Sequence, residues 1–299
     1  MQGGRASGAS VAVTATALVL VLAAALAHAS WNLFLKKSRG GPAFMTLVAT
    51  AAAIIWAPAA AAEWAIKGYV FEPIHLVPIA ASAAVHSVYF LLLDRGYRFG
   101  DLSVVYPLAR ATGPILTIIV AIAVLGERPS PVALGGALLV VLGAYLLTGN
   151  PLRLFTRDRP RGAGFALLTG ATIAVYTVID KIAVSTFLIP PIIFDWACIT
   201  LRILLFAPLA LRAGRGAIAE SWRLDRRAIL IVATFSPLAY ILVLMAMVFT
   251  PVSLVAPARE MSILFAALMG AHFLKEGDTT RRLMAAGAIV VGIVALARG

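Results

Sequence analysis

Six ionisable residues stand inside long apolar stretches of this 299-residue chain: Arg110, Arg202 and Arg259, with Asp180, Asp195 and Glu260. Such a side chain at bilayer depth costs about 3 kcal/mol on insertion scales unless it is paired or hydrated, so each is a functional candidate. A guanidinium offers a planar fork that matches a carboxylate. A buried acid can accept an amine or, if burial raises its pKa, carry a proton. The same stretches hold His28, Trp31, Asn32, His86, Tyr89, Tyr106, Tyr176 and Tyr240. A site for a small zwitterion needs those types: a cation for the carboxylate, an acceptor for the amine and an apolar-aromatic wall. The substrate-binding candidates are therefore His28, Trp31, Asn32, His86, Tyr89, Tyr106, Arg110, Tyr176, Tyr240, Arg259 and Glu260. Each ring also has a plain reading as packing, and a lone histidine is more often a hydrogen-bonded packing residue than a proton carrier. Asp195 is expected near one end of its helix, with Arg202 snorkelling to the interface or paired internally.

The elements that must position these groups are membrane spans. The chain is 62% hydrophobic and 13% charged, too apolar for a soluble protein of this length. Its mean hydropathy is +0.97. Apolar windows of about 20 residues predict ten helical spans, at 12–35, 42–65, 74–93, 102–125, 131–148, 162–182, 191–211, 227–248, 252–274 and 282–298. No window has the alternation of a barrel strand. The charged stretch 212–226 reads as a linker on the membrane surface. Arg5, the following apolar run and Ala27-His28-Ala29 resemble a cleavable signal, but the run is long enough to span and is expected to be retained. The lone Cys198 excludes an internal disulfide and reads as an inert buried thiol.

The second half repeats the first. Ser103-Val104-Val105-Tyr106-Pro107 answers Ser253-Leu254-Val255-Ala256-Pro257 at an offset of 150. Leu125-Gly126-Glu127 answers Leu274-Lys275-Glu276 at 149, and Trp31 with Lys36 answers Tyr176 with Lys181 at 145. Domains follow: a first five-helix repeat at 12–148, a polar linker at 149–161 and a second five-helix repeat at 162–298. Loops after odd-numbered spans hold seventeen lysines and arginines, against five on the opposite side. The bias predicts both termini outside the cytoplasm. An odd number of spans per half then requires the halves to insert in opposite senses, an inverted repeat whose halves can rock about a midplane site. Arg110 corresponds to Glu260, so the two can face each other there. Such a pair either fixes the packing of the halves or is displaced by a zwitterion or a proton.

Pro107 and Pro257 are the candidate helix-break or gating positions, with Pro114 and Pro237 as further bends. Gly135-Gly136 with Gly143, and Gly287 with Gly292, predict close helix contact in spans five and ten, the scaffold. The +12 net charge reads as topology signal rather than nucleic-acid affinity. No phosphate-binding loop is present, and His28, His75, His86 and His272 form no metal motif. No cofactor and no metal is expected.

The order of motifs resembles the drug/metabolite transporter superfamily, in particular its EamA members. The likeness is carried by His28-Ala29-Ser30-Trp31-Asn32 with Lys36, Tyr106-Pro107 through Leu125-Gly126-Glu127, the Gly136 and Gly143 helix, and the second-half copy from Pro257 to Gly292. It implies an all-α protein of two inverted five-helix repeats. It also implies export through a cavity lined by spans 1, 3, 4, 6, 8 and 9, and the chain is similar to bacterial aromatic amino acid exporters. The first-helix glutamate that the short multidrug relatives use for proton exchange is missing. The function expected is a secondary transporter, not an enzyme. It would export amino acids, aromatic or broad-range, by alternating access across a bacterial inner membrane. The alternatives are a multidrug or nucleotide-sugar exporter of the same fold, and a membrane-embedded enzyme. Expected partners are a small-molecule substrate and the lipid bilayer, with no nucleic acid, and a monomer is expected to suffice.

Overall fold

The computed structural model describes residues 14–99, 102–148, 160–271 and 279–299. Its helices are α1 (Ala15–Lys37), α2 (Gly41–Lys67), α3 (Leu76–Phe99), α4 (Leu102–Val124), α5 (Pro131–Thr148), α6 (Pro160–Ser185), α7 (Pro191–Arg212), α8 (Arg215–Phe249), α9 (Val252–Ala258), α10 (Met261–Ala271) and α11 (Thr279–Arg298). Their ends fall where the chain is punctuated. The Thr14 hydroxyl accepts from Ala17 N at 3.2 Å, and Pro131 and Pro191 open α5 and α7, where a missing N–H costs nothing. Gly68 closes α2 in the left-handed conformation, at φ 57°.

Among the described residues seven helices are long and apolar enough to cross a membrane, and Pro131–Leu147 and Leu283–Arg298 are apolar but shorter. The expected ninth span is not one helix. It stops at Ala258 and restarts at Met261, and the intervening turn tightens to three-residue bonds, Glu260 N to Pro257 O at 3.0 Å and Ser262 N to Arg259 O at 3.1 Å. Pro107, the counterpart of Pro257, lies inside a continuous α4, as does Pro114, so the break expected there does not occur. Proline stands sixth in both α4 and α9, so it does not set the break alone. Among the differences between the copies, Arg259-Glu260 stands where the first half has Ala109-Arg110, so the broken copy carries two charges at the break. The stretch 212–226 also departs from expectation: from Arg215 onward it is the start of α8, a 35-residue helix of about 52 Å at 1.5 Å per residue. Arg39 meets this extension in an exposed ion pair with Glu220 at 2.9 Å. Residues 149–159 of the expected 149–161 linker, His272 and Leu274-Lys275-Glu276 lie outside the described residues, while Pro160 and Arg161 already belong to α6.

The packing is reciprocal. Helix α1 lies against α8 as α6 lies against α3, while α2 packs on α7, α5 on α11 and α4 on α9. Exchanging the halves leaves this pattern unchanged, as two related modules about a shared axis require. The α5–α11 seam is tight: a Cβ on Gly136 would meet Gly292 O at 2.6 Å, and one on Gly292 would meet Gly136 O at 2.6 Å. Gly143 makes a similar approach to Ala285 O, whereas Gly135 and Gly287 face open space and make no such contact. Ile54, Ile119, Leu138, Leu204 and Val291 point outward, an apolar exterior suited to lipid tails.

Candidate functional site

Between the halves lies one cavity of about 560 Å³, within the size range of small-molecule sites. Its wall runs along α1 from Ala24 to Leu35 and along α3 from His86 to Arg98, and it reaches Gly40 before α2 and Gly41 and Pro42 at the start of α2. The exposed side chains of Asp94 and Arg98 mark the mouth. No lining residue comes from the α2–α3, α4–α5, α6–α7 or α8–α9 connections. The cavity therefore opens on one face and is shut on the other.

Ten of the expected site residues line it: His28, Trp31, Asn32, His86, Tyr89, Tyr106, Arg110, Tyr176, Tyr240 and Arg259. The eleventh, Glu260, sits behind the wall. Pro107 and Pro257 do not line the cavity. The rings form a connected cluster because α3, α6 and α8 each turn an aromatic face to the same space. His86 stacks on Tyr176 at 3.8 Å between centroids and meets Tyr240 edge-on at 5.6 Å. Tyr89 meets Tyr176 at 6.0 Å, and on α1 His28 meets Trp31 at 4.8 Å. His86 Nδ1 lies 3.0 Å from Ser82 O, and Asn32 donates to His28 O at 2.8 Å. These two polar side chains are thus partly spent on their own helices.

Charges divide into one committed pair and several groups facing the cavity. Arg110 Nε lies 3.0 Å from Glu260 Oε2, and both are nearly buried. Arg110 also donates to Ser262 Oγ at 3.1 Å. The pair joins α4 to the turn before α10, the opposition that the duplication predicts. Arg259 lies over the Tyr240 ring at 5.3 Å. The Tyr240 hydroxyl donates to Asp180 Oδ2, and Asp180 is fully buried. Asp195 lies near one end of α7, as expected, but α7 forms part of the wall and both Asp195 and Arg202 line the cavity. The lining thus includes α2 and α7 beyond the six spans expected. The missed signal was their seven-residue spacing, two turns along one helix face.

The shut face is held by helix-end caps that sequence reading did not find. Glu63 Oε2 accepts from Ile192 N and Ile193 N at 3.0 and 3.1 Å, capping α7. Glu127 accepts from Val252 N and Ser253 N at 2.7 and 2.9 Å, capping α9. Each places a first-half carboxylate on a second-half helix N-terminus, where backbone dipoles favour negative charge. Lys181 donates to Met247 O and Thr250 O at 2.6 and 3.1 Å at the end of α8. In the α2–α3 connection His75 Nδ1 accepts from Glu72 N at 3.2 Å, so the Tyr69 hydroxyl, 2.6 Å away, is the donor. Burial, reinforced by the Glu72 charge, raises the Tyr69 pKa above its ordinary value and keeps that proton in place.

Among the described residues no cluster of three or more histidine, cysteine or acidic side chains could hold a metal. A protein of known crystal structure has the same fold at a TM-score of 0.71, with 16% identity over 94% of this chain and 96% of the other. No curated protein matches the sequence. The model of the EamA-like transporter family matches twice, over residues 15–149 and 160–298. Two such matches, nearly end to end, meet at the cavity between the halves: the chain belongs to the EamA-like transporter family of the drug/metabolite superfamily, multi-pass membrane transporters.

Proposed function

We propose that the protein is a secondary exporter of small zwitterionic metabolites, foremost amino acids with aromatic or large apolar side chains. It works by alternating access across a bacterial inner membrane. The observation that carries this reading is the juxtaposition, in one cavity, of Arg202 and Arg259 with the ring cluster of His86, Tyr89, Tyr176 and Tyr240. A guanidinium holds the carboxylate, and the rings take the side chain. Glu260 is already engaged by Arg110, so the amine acceptor is a different group. The mouth opens beside Arg98, on the side of the loops after odd-numbered spans, which carry most of the lysines and arginines. The positive-inside bias makes that face cytoplasmic, where an exporter loads. In this reading ten spans form two inverted five-helix modules, at 12–148 and 162–298, with both termini periplasmic and one copy of the chain sufficient.

The test is resistance of expressing cells to toxic amino acid analogues, paired with efflux of labelled L-phenylalanine from proteoliposomes. Resistance confined to amino acid analogues, with flux above empty vesicles, is the expected result. Resistance to unrelated drugs without amino acid flux overturns the reading in favour of a multidrug exporter.

A further inference from the structure

Asp195 and Arg202 share one face of α7, seven residues and about 10 Å of helix rise apart. Asp195 sits in the second turn of α7, toward the shut end of the cavity, and Arg202 lies nearer the mouth. Asp195 lines the cavity, is only 4% exposed, and its Oδ2 has no hydrogen-bond partner among the described residues. Arg202 also lines the cavity, and its Nε has no partner there either. No ion pair joins the two among the described residues, unlike Arg110 and Glu260. A buried carboxylate, and a half-buried guanidinium whose Nε is out of reach of solvent, are costly to leave open toward one space unless something fills it. Tyr176 and Tyr240 line the same cavity, one with His86 stacked on its ring and the other with Arg259 over it. Tyr240 also screens the second acid, Asp180, from the cavity by donating to it.

We infer that Asp195 is the acceptor for the substrate's ammonium group and that Arg202, two turns along the same helix, takes its carboxylate. One helix face then reads both charges of the zwitterion, while the rings of α3, α6 and α8 read the side chain. The ammonium donates to Asp195 Oδ2, the partner that atom lacks. This inference rests on the amino acid cargo proposed above and assigns its charged ends to residues that a pairing role for Glu260 had obscured. On this assignment the Arg110–Glu260 bridge need not open to admit cargo, since neither of its members is needed for the ammonium. A substrate lacking the ammonium leaves Asp195 buried and unpaired, and a site built around a polar partner discriminates strongly against analogues that lack it.

The experiment uses full-length protein in proteoliposomes. Efflux of labelled L-phenylalanine is measured against three competitors: L-phenylalanine, 3-phenylpropionate without the ammonium, and phenethylamine without the carboxylate. For the wild type, L-phenylalanine competes at least about tenfold better than either singly charged analogue. In Asp195→Asn the KM for phenylalanine rises about tenfold or more, and its advantage over 3-phenylpropionate disappears. In Arg202→Gln the advantage over phenethylamine disappears instead. Asp195→Asn with an unchanged phenylalanine-to-phenylpropionate ratio overturns the inference and leaves the cargo intact. A wild type that moves no amino acid overturns the cargo itself. A second measurement needs no variant: a hydrophobic carbodiimide modifies carboxyls of the wild type, and the modified peptides are mapped by mass spectrometry. Phenylalanine and phenethylamine protect Asp195, and 3-phenylpropionate does not. Equal protection by all three, or by none, refutes the assignment.

Discussion

Replacing Glu63 and Glu127 by glutamine should loosen the shut face of the cavity. Each carboxylate accepts two backbone N–H bonds from the first turn of a helix in the other half, and Glu63 is 7% exposed. Glutamine keeps one acceptor oxygen but removes the charge that the helix end favours. A charge in a partly buried cap is worth about 2 kcal/mol. If the cap comes apart when this face opens, that energy stabilises only the shut state. Losing it shifts the equilibrium about 30-fold toward opening, since about 1.4 kcal/mol is a factor of ten. The caps sit on different helices, so the double replacement should add to about 4 kcal/mol, about 1,000-fold. The assay is alkylation of Val21→Cys in a Cys198→Ala background, with an impermeant maleimide supplied from the shut face. Val21 is 1% exposed and lies on α1 one turn beyond Ala24, where the cavity wall begins. Labelling should be slow with both caps intact and about 30-fold faster with either one neutralised. Unchanged labelling in both single variants and in the double, with normal melting behaviour, would refute the latch.

Gly136→Ala and Gly292→Ala force a methyl against backbone oxygen at the α5–α11 seam. Each should cost about 1–3 kcal/mol, read as a lower melting temperature, while Gly135→Ala, whose Cβ would meet nothing within 4 Å, should leave it unchanged. Arg110→Gln or Glu260→Gln leaves the other charge buried alone and should cost about 3 kcal/mol or more. The double replacement should recover part of that loss in a thermal double-mutant cycle, and strict additivity would deny the pairing. Tyr240→Phe removes the hydroxyl that satisfies Asp180 Oδ2 and should destabilise by about 1–3 kcal/mol. Adding Asp180→Asn should relieve part of it, and a Tyr240→Phe melting curve identical to wild type counts against that bond.

Most of the helices were legible in the sequence, because apolar runs bounded by proline, glycine and charge leave a backbone in lipid little choice but to be helical. The duplication of Ser103–Pro107 in Ser253–Pro257 and the complementarity of Arg110 with Glu260 were legible too, since both are properties of residue order. The conversion of 212–226 into the start of α8 was not. Its charges look like a loop until Glu220 is seen meeting Arg39, 181 residues away. The break at Arg259-Glu260 but not at Ala109-Arg110 was equally hidden, because proline occupies the same position in both copies.

Residue order by itself settled which side chains are too costly to leave in lipid without a purpose, and that they come in two matched sets. Only the folded arrangement decided which of them share a space. Arg110 and Glu260 meet as the duplication predicts, whereas that Asp195 and Arg202 share the cavity wall follows only from the placement of α7. Glu63, which no motif marked, and Glu127, marked only as part of the repeat, become caps on helices of the other half. The physical reason is that burial cost is a property of one residue and its surroundings in sequence. Pairing is a property of helices packed far apart in the chain, and no spacing rule within one helix contains it.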